Sequence, residues 1–461
     1  MSNASARLNA RVEIGTIIDG RPFGSYQWRI VALCFVIAML DGLDAQAAAF
    51  VAPVVRNLMD ISPQGIGNLY SAGLVGLMLG ALTFGAIADR VGRKPVIILS
   101  CVMMGGFSLL AATATSLDQL LLFRFLTGLG LGAAMPNITA LTGEYAPQRR
   151  QAILMTVMFA GFPVGGLLGG IISVPLIAAR GWPAVFVLGG VIPLLLLPLL
   201  FAALPESLRF RATRNPRDPK IGATLQKIDP EFKPTADTTY ALVEAGAPAG
   251  SNMPVVDLFT AGRTPGTLLI WIVFFGNLFM MYSLLAWLPT VMAQAGLGVA
   301  GGIYTAVAFN FGGVIGGLGI AWLLDRHSGY RTLGVGFLLA AVTVVLVGSL
   351  GQSLFWALVV VFFGGLLLMG GAFAMNAVTA AFYPTQVRST GLGWAFAAGQ
   401  VGAISGPILI GTALSNHLGV GLVFGLVAIP SVGCAIGIIL LGRRMPGRRP
   451  EDQPALSSQR I

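Results

Sequence analysis

Polar residues in this 461-residue chain come in short groups, and the apolar stretches between them run to roughly 20 residues, the length that carries a helix across bilayer hydrocarbon. Approximate spans fall at 28–52, 64–88, 95–114, 119–143, 152–177, 182–204, 266–292, 301–324, 332–350, 353–378, 390–414 and 418–441. The pattern predicts an all-α polytopic membrane protein of twelve transmembrane helices. Composition points the same way, with 56% hydrophobic residues, 10% charged residues and 62 glycines.

One long polar interval divides the spans six from six. The expected organisation is an N-terminal segment over 1–27, a six-helix half over 28–204, a linker over 205–265, a second six-helix half over 266–441 and a tail over 442–461. The linker, rich in proline and basic clusters such as RFRATRNPRDPK, reads as a partly disordered connection rather than a domain. Its one apolar patch, VVDLF at 255–259, is expected on the membrane surface.

The halves echo one another. GALTFGAIADRVGRK closes the second span and GGLGIAWLLDRHSGYR the eighth, each with a glycine nine residues before an Asp-Arg pair. AMPNITALTGEYAPQRR after span four is answered by AMNAVTAAFYPTQVR after span ten, and GGLLGG in span five by GAISGPILIG in span eleven. Parallel six-span repeats imply a transporter with its substrate site near the midplane, between the halves. Glycines at 73, 76 and 80 share one helix face, and those at 161, 165 and 169 another, spacings that let helix backbones approach closely.

A net charge of +10 raises nucleic acid as a partner, but the placement of the 28 Lys and Arg removes it. They gather in alternate connections and termini, while the opposite connections hold little beyond Arg56 and Arg180. By the positive-inside rule both termini are cytoplasmic. The first apolar run is too long for a signal-peptide core and is expected to remain as a span. Cys34, Cys101 and Cys434 lie in separate spans and indicate no disulfide or metal motif. His327 and His417, in or near connections, read as surface residues, and no metal site is expected.

Candidate chemistry concentrates in the first span. Asp41 and Asp44 are the only charges within VALCFVIAMLDGLDAQAAAFV, and three-residue spacing puts them on one helix face. A carboxylate at the centre of a span costs about 2.5–3.5 kcal/mol, so the pair must face protein or a water-filled cavity. A proton or cation site is the functional reading; a pair satisfied structurally by neighbouring helices is the alternative. Arg124 is the one cation well inside a span. It could clamp a substrate carboxylate or be held by Asp41 or Asp44.

These motifs carry a resemblance. Outside the linker the chain resembles the major facilitator superfamily along nearly its whole length, with Gly80 to Lys94 matching the superfamily's loop between spans two and three. DGLDAQ in span one, RFLTGLGLGAAMPN and EYAPQRR around span four, and FYPTQVRSTGLGWA leading into span eleven are similar to the aromatic acid:proton symporters, which include carriers of 4-hydroxybenzoate and benzoate. The resemblance implies a monomeric carrier in a bacterial inner membrane that takes up a small aromatic carboxylate with protons. The proton is the coupling ion and no other cofactor is implied.

The resemblance also implies roles for residues. Asp89, Arg90 and Arg93 correspond to a latch between the halves, with Arg388 as a partner and Asp325 and Arg326 as the second-half counterpart; Glu144 matches an acid that gates or orders a loop. Phe159, Asn277, Tyr282, Trp287, Phe309, Asn310, Asn376 and Trp394 are aromatic or amide groups expected to face the cavity and take a substituted ring. Gln400 stands where such carriers usually have Arg; an amide can hydrogen-bond a carboxylate but not neutralise it, which opens the site to a different or less charged ligand.

The expected mechanism is proton-coupled uptake by alternating access. An inside-negative potential opposes an anion by about 2.3 kcal/mol per charge per 100 mV, so accompanying protons are what permit accumulation. A carboxyl in low dielectric beside a second carboxyl has a physical reason to hold a proton, which assigns coupling to Asp41 and Asp44. A symporter of a non-aromatic carboxylate and a proton-driven exporter of drugs or metabolites are the competing readings. Catalysis is not expected, because the chain carries no His/Cys cluster, nucleophile motif or phosphate loop.

Overall fold

A computed structural model describes residues 11–235, 238–241, 255–260, 262–326, 329–348, 353–384 and 387–444, less the side chains of 11, 318, 320–326 and 444. It begins with a strand, β1 (Arg11–Glu13), and a short helix, α1 (Ile14–Gly20). Six membrane-length helices follow: α2 (Ser25–Leu58), α3 (Pro63–Val91), α4 (Arg93–Ala111), α5 (Leu117–Tyr145), α6 (Gln151–Arg180) and α7 (Pro183–Ala203). The linker supplies α8 (Leu208–Arg214), α9 (Pro219–Ile228) and β2 (Thr239–Ala241). The second half comprises α10 (Thr264–Met292), α11 (Gly298–Arg326), α12 (Gly329–Val347), α13 (Leu354–Phe382), α14 (Arg388–Ser415) and α15 (Val420–Arg444).

Eleven helical stretches have the length and apolarity to cross a membrane, and one of them, Thr264–Gly317, contains both α10 and the start of α11. The chain turns between the two at Gly296 and Gly298, whose φ angles of 104° and 68° suit glycine. Twelve spanning helices therefore stand among the described residues. Their starts follow ordinary capping chemistry: Ser62 accepts from the Gly65 N–H at 3.1 Å with Pro63 opening α3, and Ser116 caps α5 through Gln119.

The sequence echo is an echo of packing. A Cβ at Gly76 or Gly80 of α3 would strike the carbonyls of Phe125 and Leu129 on α5; one at Gly312 or Gly316 of α11 would strike those of Phe362 and Leu366 on α13. Likewise Gly165 seats α6 on Met39 of α2, and Gly402 seats α14 on Phe275 of α10. Backbone contact this close leaves no room for a methyl group, which is why the small-residue spacings survive in both halves.

The described part of the linker carries regular structure. β2 pairs in parallel with β1, Arg11 opposite Thr239, and buried Ile14 and Ile18 of α1 share a cluster with Ile221, Leu225 and Ile228 of α9. Arg21 bonds Asp229 at 3.0 Å and also pairs with Glu231. The N-terminal segment and the linker thus fold onto each other, because amphipathic α9 offers an apolar stripe that neither element buries alone. In the 255–259 patch Val256 is exposed while Leu258 is fully buried, its carbonyl accepting from Thr267 Oγ1 at 2.9 Å, and Phe259 packs edge-on against Trp271, so the patch also anchors the start of α10.

Candidate functional site

Every described hydrogen bond between the halves lies in the part of the bundle away from the linker. Gln64 N–H donates to Ser415 Oγ at 2.9 Å, Ser71 Oγ to the Ile404 carbonyl at 2.8 Å, and the Tyr70 and Thr290 hydroxyls stand 3.4 Å apart. Deeper in, Gln46 of α2 and Asn310 of α11 exchange two amide bonds, 3.1 and 2.7 Å, while Asn310 also donates to its own helix at Ala306. Gly166 of α6 leaves room for this amide clasp, since a Cβ there would collide with both side chains. All these contacts are uncharged.

Below this seal lies a narrow cavity, part of it open to solvent, bounded by Gln46, Tyr70, Arg124, Phe162 and Tyr282 with small residues Ala45, Ala48, Ala49 and Gly73. Helices α2, α3, α5 and α6 supply one wall and α10 the other. That is midplane placement between the halves, as expected of such a carrier.

Arg124 is committed within the first half. Its Nη1 donates to Asp44 Oδ2 at 2.9 Å and its Nη2 to the Asp44 carbonyl at 2.9 Å, so residue 44 holds the guanidinium twice. The ring of Phe186 on α7 lies 5.7 Å from the guanidinium carbon. The other oxygen of Asp44, Oδ1, accepts from Ser108 of α4 at 2.8 Å, and the same hydroxyl is 3.1 Å from the Phe186 carbonyl. Ser108, Asp44, Arg124 and Phe186 close a ring across four helices. Asp44 and Ser108 are fully buried and Arg124 is 3% exposed, yet Arg124 still lines the cavity, with Asp44 behind it.

Asp41 stands apart from this ring. It is 1% exposed, its Oδ1 has no hydrogen-bond partner, and it lies within electrostatic reach of Asp44, of Tyr282 on α10 and of Cys101 on α4. Of the two carboxyl groups, one is matched to a cation and one is not. A lone carboxylate in that setting costs far more than a neutral carboxyl.

The remaining expected residues divide. Tyr282 lines the cavity, Asn310 forms the clasp above it, and Phe159 meets Phe373 of α13 edge-on at 6.3 Å, between the halves. Asn277, Asn376 and Gln400 lie outside the cavity lining, each with a buried amide oxygen that meets no protein donor among the described residues. Phe309 and Trp394 correct the expectation. Phe309 is fully buried where α11 backs onto Gly365 of α13, and Trp394 is 43% exposed and stacked on Trp271 at 5.8 Å, so neither bounds the cavity. Trp287 is likewise packed away, its Nε1 donating to the Pro407 carbonyl at 3.1 Å.

At the linker end the expected latch is open. Asp89 and Arg90 are exposed, and Arg388 Nε reaches only the Tyr383 carbonyl at 3.5 Å, so Asp89 and Arg388 are not paired. Arg93 instead pairs with Glu144, whose Oε2 accepts from Ser207 Oγ at 2.7 Å. Glu206, which sequence reasoning passed over, accepts from the Arg93 N–H at 2.8 Å and thereby caps α4. The side chains of Asp325 and Arg326, and all of His327, lie outside the described residues.

Comparisons with known proteins agree with this architecture. The model of the Major Facilitator Superfamily matches residues 34–331 and 303–459. The chain is 40% identical to the 4-hydroxybenzoate transporter PcaK of Pseudomonas putida, over 96% of this chain and 98% of that one. It is 37% identical to the gallate transporter of Pseudomonas putida, over 94% and 96%. Among solved structures, a bacterial homologue of the human lysosomal transporter Spinster, inward-facing and occupied, superposes with a TM-score of 0.65 at 17% identity, over 91% of this chain and 94% of that one, a likeness of fold. The chain is a multi-pass membrane transporter of the Major Facilitator Superfamily, and within it belongs to the aromatic acid transporters.

Proposed function

We propose that this carrier moves a small aromatic carboxylate of the hydroxybenzoate type into the cytoplasm together with a proton. The observation that carries the reading is the shared guanidinium: Arg124 faces the cavity, but Asp44 already neutralises it from behind. A substrate carboxylate that reaches Arg124 makes two acids compete for one cation. In a site of low dielectric the competition is relieved when Asp44 takes up a proton and lets go. Substrate binding and protonation then favour each other, which is the thermodynamic requirement for symport.

Asp41 sharpens the charge balance. With Asp41 neutral, the empty site carries one guanidinium and one carboxylate and no net charge. The loaded site carries the substrate anion and one further proton, again with no net charge. One proton therefore accompanies each monoanion, and movement is electroneutral. The names of the relatives support a ring acid as substrate, and the stacking surfaces of Tyr70, Phe162 and Tyr282 suit one.

The basic linker end corresponds to the cytoplasm by the positive-inside rule, so the state described, sealed away from the linker and unlatched beside it, is inward-facing. The test is uptake of labelled benzoate, 4-hydroxybenzoate and gallate by expressing cells, with and without an uncoupler. Gradient-dependent accumulation of one ring acid supports the reading. Uptake unaffected by the uncoupler, or efflux stimulated by an inward proton gradient, opposes it.

A further inference from the structure

Ser108 has two acceptors and one proton. Its Oγ lies 2.8 Å from Asp44 Oδ1 and 3.1 Å from the Phe186 carbonyl, and a hydroxyl can donate to only one of them at a time. While Asp44 is a carboxylate, the shorter, charge-assisted bond to Oδ1 is the stronger choice. Once Asp44 is a neutral acid the demand reverses. Its new O–H needs an acceptor in a fully buried setting, and Ser108 Oγ is the nearest, provided that its own proton turns to Phe186.

We propose that Ser108 is a positioning residue for proton coupling, a hydroxyl that rotates between Asp44 and the Phe186 carbonyl and so satisfies Asp44 in both protonation states. This rests on the assignment of the coupled proton to Asp44. The proton that Asp44 gains comes from water and forms one O–H bond; Ser108 exchanges one hydrogen bond for another and transfers nothing. The position is built for rotation. Gly189 of α7 faces the junction without a side chain, and a Cβ there would sit 3.2 Å from Asp44 Oδ1 and 3.3 Å from Ser108 Oγ, tight enough to hinder the turn. The serine ties α4 to α2 and, through Phe186, to α7, so the switch stays inside the first half and moves with it.

The charged and titratable groups that face Asp44 are Arg124 from α5 and, on its own helix, Asp41; α4 and α7 present Ser108, Phe186 and Gly189, none of them ionised. Asp41 in turn faces Tyr282 of α10 and Cys101 of α4. Removing the hydroxyl costs the carboxylate a charge-assisted bond and the neutral acid an ordinary one, so the carboxylate loses more. In Ser108→Ala, net proton-driven uptake of 4-hydroxybenzoate in proteoliposomes should keep its KM within about threefold, fall several-fold in maximal rate, and show a pH midpoint moved by about one unit to the alkaline side. Ser108→Thr, which retains the hydroxyl, should restore the wild-type midpoint.

Gly189→Ala keeps every polar group and should shift the midpoint to the acid side, because crowding the turn disfavours only the neutral acid; this serves if Ser108→Ala does not insert. A wild-type midpoint in both Ser108→Ala and Gly189→Ala, with rates lowered evenly across pH, overturns the proposal and leaves Ser108 a packing residue. The underlying reading fails differently. If wild-type uptake is indifferent to the proton gradient, the assignment of coupling to Asp44 falls, and the role of Ser108 falls with it.

Discussion

The two halves share a scaffold but not a chemistry. In the first, the buried charged side chains are Asp41, Asp44 and Arg124; in the second, among the described residues, the buried polar side chains are amides and hydroxyls such as Asn277, Asn310, Ser283, Thr290 and Thr379. Glycine packing repeats from α3–α5 to α11–α13, so the difference is not one of architecture. On the proposed function it divides the labour, the first half managing charge and the second meeting the substrate with neutral groups. The division also eases the rocking of one half against the other. Because the described bonds between the halves are all uncharged, each costs only about 0.5–1.5 kcal/mol net to part, whereas separating a buried ion pair costs several.

The contrast breaks most sharply at Asp44. Asp44→Asn should lower gradient-driven accumulation of 4-hydroxybenzoate by about 100-fold or more, because Arg124 loses its counter-ion and the site its coupled proton, a loss of at least about 2.7 kcal/mol of coupling. Accumulation ratios in expressing cells measure it. Asp41→Asn should fall less, since Asn reproduces the neutral state assigned to Asp41, and full loss there would move the proton from residue 44 to residue 41. Uptake assays on the pair, run side by side, rank them.

In the second half the expected effect is smaller and of another kind. Asn376→Ala or Gln400→Ala should raise KM by about tenfold for one ring acid and less for another, the cost of a single hydrogen bond, with the pH profile unchanged. Competition uptake across benzoate, 4-hydroxybenzoate and gallate reads the change in ranking. A shift of the pH profile in these variants would contradict the division between the halves.

The amide clasp tests the seam. Gln46→Ala leaves Asn310 Oδ1 without a donor while its Nδ2 keeps the Ala306 carbonyl, a penalty of about 1–3 kcal/mol that falls on the sealed state. The far side should open several-fold more often, seen as faster labelling, by an impermeant reagent added from that side, of a cysteine placed at Ala49, which lines the cavity beneath the seal. The smallest effect is expected at Asp89→Asn, about two- to threefold in transport rate, since Asp89 is exposed and not paired with Arg388 in this state.

Much of this was legible in the sequence. Apolar run length gave the spans, and a carboxylate pair in a membrane run has few places to be, so the burial of Asp41, Asp44 and Arg124 followed from cost alone. Which aspartate holds Arg124 did not follow. Both lie on one face of α2, and the choice is made by α4 and α5, whose approach depends on glycine contacts far along the chain. Phe309 and Trp394 were misplaced for a related reason, since an apolar helix with no clear amphipathic face does not announce which side meets the cavity. Ser108 and Gln46 carried a signal that could have been used: each is an uncharged polar residue deep in an apolar run, where an unbonded polar group is costly. The order of the linker was hidden because its partner strand lies more than 220 residues away in β1.

On the proposed function, charge in the first half ties one proton to one anion. Purified carrier in proteoliposomes, given labelled 4-hydroxybenzoate under either an imposed pH gradient or an imposed membrane potential alone, tests it most directly. Electroneutral one-to-one symport should give uptake driven by the pH gradient and indifferent to the potential. Uptake that responds to the potential with no pH gradient would show net charge movement and contradict it.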